Sequence, residues 1–280
     1  MSRARGRFRD YWKTVGREAR GRGELLLSPV LDGPLWPRPV QVYLPPGYGD
    51  GRERFPVIYL QDGQNLFDPA TAFAATWRAE RALDRLAGRG RPVIAVGVPN
   101  SGLRRIHEYA PFLDRRYGGG GGGDYLEWLA GTVQPLIEKQ FRVARGRETT
   151  AIAGASMGGL ISLYAFGRLP ERFGLVGGMS PSLFFGDEAL TRWLGERPLA
   201  GGRVYLDIGT LEGRRNRRRR TPPKSPSGAM RRLRRLRLAF EKAGYRRGED
   251  LEWIEEPGGR HDEAAWARRL PGMLDFLFPA

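Results

Sequence analysis

The sequence predicts an α/β fold in which crossover helices cover a mostly parallel sheet, and three observations carry that reading. Short β-branched or aliphatic runs recur along the chain, several of them are apolar without alternation, and helix-like segments lie between them. A strand with one wet face alternates polar and apolar residues, whereas a continuous apolar run suits a strand buried on both faces. Strands that alternate with helices indicate crossover connections and a parallel sheet.

In chain order the strand-like runs are VQVYLP (40–45), PVIYLQDG (56–63), PVIAVGV (92–98), TTAIAGAS (149–156), LVGGMS (175–180), RVYLDIGT (203–210) and LEWIEE (251–256). The helix-like segments are TWRAERALDRLAG (76–88), DYLEWLAGTVQPLIEKQF (124–141), GLISLYAFGRL (159–169) and DEALTRWLGE (187–196). Further on, Ala229, Leu233, Leu236, Phe240 and Ala243 recur at steps of four and three, an apolar stripe with arginine on the remaining faces. That pattern predicts a surface helix docked on the sheet with a solvated basic side. Two stretches interrupt the alternation. Six consecutive glycines, 118–123, offer no side chains to pack and predict a flexible loop. The Arg-, Pro- and Ser-rich segment 213–228 predicts a mobile insertion.

At 280 residues the chain is long enough to bury a substantial core. It carries a net charge of +16, and the excess is local. Residues 1–20 contribute +5 and residues 213–237 contribute +12, which leaves the rest of the chain at −1. Aromatic residues do not interleave with the arginines of 213–237, so no platform for stacking bases is formed and no specific nucleic-acid partner is expected. No stretch approaches the ~18 consecutive apolar residues of a membrane span. The first twenty residues, with six Arg and one Lys, lack the apolar segment of a secretory leader, so the expected location is cytoplasmic. With no cysteine, disulfides and thiolate chemistry are excluded. His107 and His261 are the only histidines, and neither sits in ligand spacing, so no metal is expected.

Gly154-Ala155-Ser156-Met157-Gly158 fits the pattern G-x-S-x-G. With 40 glycines the pattern alone is weak, and context raises it: TTAIA precedes as a strand and GLISLYAF follows as a helix. A serine on such a bend sits in strained backbone, and small neighbours avoid collision with the adjacent strand and helix. The bend places its hydroxyl beside a helix N-terminus, where developing negative charge is favoured.

A serine needs a general base. His261, in EEPGGRHDEAAWARRL, follows the last strand and should emerge at the same sheet edge as Ser156. His107 precedes the serine and breaks the expected order of nucleophile, acid and base. The acid, which holds the imidazole tautomer, should come from VYLDIGTLEG. Glu212, projecting from the loop, is favoured, and Asp207 within the strand remains the alternative. For the oxyanion, one donor is the Met157 N–H, and the second is the Gln64 N–H on the loop YLQDGQNLFD (59–68).

VYLPPGYGDGRERFPVIYLQDGQNLFD, AGASMGGL, SPS, LDIGTLEG and GGRHDEAAWARRLPGMLDFLF together resemble the putative esterase family of α/β hydrolases, which includes enterobactin esterases, feruloyl esterases, S-formylglutathione hydrolases and mycolyltransferases. The resemblance covers about residues 24–280. It implies an α/β-hydrolase fold with a mostly parallel central sheet of about eight strands and helices on both faces, with residues 1–23 as a basic N-terminal extension. It implies Ser156 as nucleophile, Glu212 as acid, His261 as base, and Gln64 with Met157 as the oxyanion hole. The expected activity is hydrolysis of a small-molecule carboxylic ester through an acyl-enzyme, with no cofactor. The alternatives are transfer of the same acyl group to an alcohol, or an inactive scaffold that binds an anionic partner.

Overall fold

The computed structural model describes residues 12–17, 23–213 and 226–280. Most of the insertion expected at 213–228, and residues 1–11 and 18–22 of the N-terminal extension, lie outside the described residues.

All seven apolar runs are strands. With two N-terminal strands they form one nine-stranded sheet: β1 (Lys13–Arg17), β2 (Glu24–Leu27), β3 (Gln41–Leu44), β4 (Val57–Gln61), β5 (Ile94–Val98), β6 (Thr150–Ala155), β7 (Leu175–Met179), β8 (Arg203–Gly209) and β9 (Leu251–Glu256). The spatial order is β1-β2-β3-β5-β4-β6-β7-β8-β9. The first three strands pair antiparallel, and β5 onward are parallel neighbours, with Ala155 opposite Met179 and Asp207 opposite both Met179 and Ile254. Residues 12–17, which the sequence sets apart from the domain, add the edge strand β1, and the Trp12 ring packs edge-on against Phe141 at 5.0 Å. Lys13, Thr14 and Val15 of KTVGR are all exposed, so this strand lacks the buried apolar run that marks the central strands.

Helices α1 (Ala79–Ala87) and α8 (Glu263–Leu277) cover one face of the sheet. Ile58, Leu60, Ala151, Ala153 and Tyr205 bury that face against Leu83, Leu86, Leu270 and Leu274. The other face carries α2 (Arg105–Tyr109), α3 (Gly122–Trp128), α4 (Gln134–Gln140), α5 (Met157–Arg168), α6 (Ala189–Gly195) and α7 (Gly228–Lys242). There Val57, Tyr59, Ile152, Val176 and Leu206 meet Leu126, Leu160, Leu163, Leu236 and Phe240. Neighbouring strand residues thus point to opposite, equally dry faces, which is why the runs show no alternation. No helix among the described residues is long and apolar enough to cross a membrane.

The glycine run departs from the flexible loop expected of it. Gly118 and Gly119 pair antiparallel with Leu113 and Asp114, and α3 begins at Gly122. A Cβ on Gly119 would meet the Ala110 Cβ at 2.5 Å, one on Gly121 the His107 ring at 2.6 Å, and one on Gly122 the Pro111 Cα at 2.8 Å. Gly119, Gly121 and Gly122 let this backbone lie directly against residues 107–111, and Gly118, Gly119 and Gly120 take the positive φ of 76°, 102° and 93° that favours glycine.

Strands β4 and β6 are neighbours whose following connections leave in opposite directions, β4 to β5 and β6 to β7. The crevice at their carboxyl ends is the switch point where open α/β sheets place their ligands. The loops carrying Gln64 and Ser156 leave the sheet there.

Candidate active site

Ser156 sits between β6 and α5 with φ 57° and ψ −119°, a backbone conformation costly for any residue with a Cβ. The bend is held from several sides. Ser156 N–H donates to the Met179 carbonyl at 2.9 Å, while its own carbonyl accepts from Leu160 and Ser182 N–H at 3.1 and 3.0 Å. The glycines around it are there for space. A Cβ on Gly154 would come within 2.7 Å of the Gly158 carbonyl carbon, and one on Gly158 within 2.9 Å of the Gln61 Cβ.

The loop after β8 turns back on itself and buries Glu212. Its Oε1 accepts the Gly209 N–H and the Ser180 hydroxyl, both at 2.7 Å, and Oε2 lies 2.7 Å from His261 Nδ1. Burial opposes the charge on Glu212, and the bonds from His261, Ser180 and Gly209 outweigh it, holding the carboxyl below its ordinary range. His261 arrives on the loop after β9. That loop presses on β8 where a Cβ at Gly209 would lie 2.3 Å from the Gly259 carbonyl carbon, and the Gly259 carbonyl accepts Leu211 N–H at 3.0 Å. The imidazole stands edge-on to the Trp266 indole at 5.0 Å, and its Nε2 is 3.0 Å from Ser156 Oγ. A proton kept on Nδ1 by Glu212 leaves the Nε2 lone pair facing the serine, which is the arrangement a general base requires.

The geometry thus brings Ser156, His261 and Glu212 into one hydrogen-bonded series. The alternative carboxylate, Asp207, is fully buried and points elsewhere: Oδ1 accepts Ser180 N–H at 3.1 Å, and Oδ2 lies 3.4 Å from Arg269. Burial above all pushes Asp207 up to about 7, with Arg269 opposing and Glu212 adding to the rise. His107 lies on α2 against Gly121 and has no bond to Ser156 among the described residues.

Met157 opens α5, and Gln64 lies in a single turn of 3-10 helix, 63–65, directly after β4. Neither backbone N–H meets an acceptor among the described residues, whereas the Gln64 carbonyl accepts the Thr71 hydroxyl at 2.7 Å and its Oε1 accepts Asn100 N–H at 3.2 Å. The two amides expected to receive an oxyanion are therefore both uncommitted.

Three neighbours of the site have no role in the sequence reading. Ser182 Oγ lies 3.1 Å from Ser156 Oγ. If Ser156 gives its proton to His261, Ser182 is the donor in that pair, and it orients the serine oxygen. Ser180 Oγ donates to Glu212 and accepts from Trp266 Nε1 at 3.1 Å and Arg269 Nη2 at 2.9 Å. Arg269, itself buried, lies 3.4–3.7 Å from Asp207, Glu212 and Glu256, one cation among three carboxylates. The signal for the two serines was the SPS stretch after β7; Arg269, one of two adjacent arginines on the terminal helix, carries none.

A family model described as Putative esterase matches residues 34–277. Among curated proteins, the chain is 32% identical to Uncharacterized protein YbbA of Bacillus subtilis (strain 168), over 62% of this chain and 68% of that one. It is 34% identical to the siderophore triacetylfusarinine C esterase of Aspergillus fumigatus, over 48% of this chain and 47% of that one. Among solved structures, a ferulic acid esterase superposes with a TM-score of 0.68 at 19% identity, covering 92% of this chain and 98% of the other.

Proposed function

The chain belongs to the putative esterase family and is a carboxylic ester hydrolase of α/β-hydrolase fold, and from that premise we propose that it works through an acyl-enzyme formed on Ser156. The observation that carries this reading is the series of short contacts from Ser156 Oγ to His261 Nε2 at 3.0 Å and from His261 Nδ1 to Glu212 Oε2 at 2.7 Å. Ser156 Oγ attacks the ester carbonyl while His261 takes its proton, and Glu212 stabilises the imidazolium so formed. The carbonyl oxygen becomes an oxyanion that receives the Met157 and Gln64 N–H groups, each supplying about 3 kcal/mol of barrier lowering. Collapse breaks the bond to the alcohol oxygen, which leaves with the proton held on His261. Water then attacks the acyl-enzyme with His261 as base, and the proton returns to Ser156.

The substrate is a small ester, for which the siderophore esterase among the relatives offers one precedent. Phe184 lies two residues beyond Ser182, and its half-exposed ring meets Tyr117 at 6.0 Å, also half-exposed. That surface suits an apolar or aromatic acyl group. Replacing Ser156 by Ala is expected to abolish hydrolysis of short p-nitrophenyl esters, and a fluorophosphonate probe is expected to label the parent on the peptide containing Ser156. Turnover by the variant near that of the parent, or a label mapped elsewhere, would remove the assignment.

A further inference from the structure

The loop that presents Gln64 N–H is held by more polar contacts than its length requires, and they converge on Asp62. Asp62 has left-handed backbone, φ 58° and ψ 47°, a conformation unfavourable for a residue with a Cβ that persists only where the surroundings impose it. Gly63 after it cannot be replaced, because a Cβ there would lie 2.6 Å from the Gly97 carbonyl carbon in β5.

The surroundings are supplied by residues 100–109. Arg105 binds the Asp62 carboxylate at both oxygens, Nε to Oδ1 and Nη2 to Oδ2, each at 2.7 Å. Asn100 Nδ2 donates to the same Oδ1 at 2.6 Å, and Asn100 N–H donates to Gln64 Oε1 at 3.2 Å. The Tyr109 hydroxyl accepts Asp62 N–H at 3.1 Å. That segment is anchored in turn by Glu108, fully buried, which accepts Ser101 N–H at 3.1 Å and pairs with buried Arg38 at 2.5 Å. The far side of Asp62 faces the nucleophile's own helix: a Cβ on Gly158 would lie 3.1 Å from Asp62 Oδ2. Asp62 thus lies on the loop of Gln64 with its carboxylate beside Gly158 in the first turn of α5, the two elements that carry the amides expected to receive an oxyanion.

We propose that Asp62, clamped by Arg105 and Asn100, is a positioning residue that sets the separation of the Gln64 and Met157 amides, with the last glycine of the serine motif leaving room for its carboxylate as well as for the Gln61 Cβ. The inference rests on the acyl-enzyme reading given above. It gives Arg105 a part in catalysis without contact with the substrate. The carboxylate of Asp62 is spent on Arg105 and Asn100, which leaves the Gln64 N–H free of it. A shift of an ångström in one oxyanion donor lowers kcat about 100-fold, because the donor is met only as the tetrahedral oxygen develops.

The test compares the parent with Arg105→Ala, Arg105→Lys and Asn100→Ala, with folding checked by thermal melting. Arg105→Ala is expected to lower kcat about 30–100-fold with KM within about threefold, and to weaken a boronic-acid inhibitor, which mimics the tetrahedral state, by the same factor as kcat/KM. Added ethylguanidinium is expected to restore part of the lost rate, and Arg105→Lys to fall between parent and Ala. Asn100→Ala, which keeps the ion pair and serves where Arg105→Ala does not fold, is expected to lose about fivefold in kcat. A folded Arg105→Ala with kcat within threefold of the parent overturns the proposal. So does a rise in KM at unchanged kcat, which would make Arg105 a substrate-binding group, or parent-like kcat in Asn100→Ala. The acyl-enzyme reading is tested apart by fluorophosphonate labelling: its failure places the label off Ser156 in the parent itself, whereas failure of the clamp leaves Ser156 labelled in Arg105→Ala as fast as in the parent.

Discussion

Asp207 and Glu212 lie at the same end of β8, both are buried, and both lie near Arg269, yet they are pushed in opposite directions. Glu212 receives hydrogen bonds from the Gly209 amide, the Ser180 hydroxyl and His261, and its carboxyl is held below the ordinary range. Asp207 receives the Ser180 amide, and its Oδ2 has no hydrogen-bond partner among the described residues even with Arg269 3.4 Å away; it is pushed up to about 7. Burial penalises either charge, and the number of donors aimed at it decides which carboxylate keeps the charge. The difference supports the role proposed for Glu212. A triad acid must be an anion that stabilises an imidazolium, and of the two only Glu212 is both solvated by the protein and in contact with His261.

The sharpest way to break this comparison is Glu212→Gln, which keeps the shape and removes the charge. An amide facing Nδ1 neither fixes the tautomer nor stabilises the imidazolium, so kcat on p-nitrophenyl acetate is expected to drop about 10³–10⁴-fold. A loss under tenfold would move the acid role away from Glu212.

Next in size is the cation between the two. Arg269→Met leaves Asp207, Glu212 and Glu256 without their shared partner, and breaking such a buried arrangement costs about 3–5 kcal/mol. The comparison sharpens it: at pH 5 Asp207 can carry a proton and the loss is expected to be smaller, and at pH 8 larger. Adding Asp207→Asn to Arg269→Met is expected to recover part of the pH 8 loss in urea unfolding. Equal losses at both pH values would show that Asp207 does not titrate with Arg269.

The seven runs read from the sequence are strands, while β1 and β2 were not read, because KTVGR is exposed at Lys13, Thr14 and Val15 and ELLL buries only Leu26. Ser156, Glu212 and His261 could be picked out because each follows a strand at one sheet edge, and a parallel sheet collects such loops in one place. Arg269 on α8, Arg105 on α2 and Asp62 after β4 reach the site only through tertiary packing, and nothing in their local spacing marks the contact. The glycines misled for a related reason. Composition equates glycine with freedom, whereas at 119, 121, 122 and 158 another part of the chain occupies the space of a Cβ.

The smallest effect belongs to Asp207→Asn alone, and its sign is fixed by the direction of the shift. Asp207 titrates near 7 in the folded protein and near the ordinary ~3.9 when unfolded. Between those values the folded state holds a proton that the unfolded chain has released, so this group's contribution is complete below pH ~4 and is lost as pH rises through about 7. The asparagine variant lacks that dependence. The stability of the parent relative to the variant is therefore expected to fall by about 1.4 kcal/mol per pH unit from pH 5 towards 7 and to level off above it. Activity at pH 8 is expected to stay within about fivefold of the parent, since the residue faces Arg269 and the Ser180 amide and not the imidazole. A stability difference flat from pH 5 to 8 would mean that Asp207 stays ionised beside Arg269, and the contrast between the two carboxylates would then lie in their contacts alone.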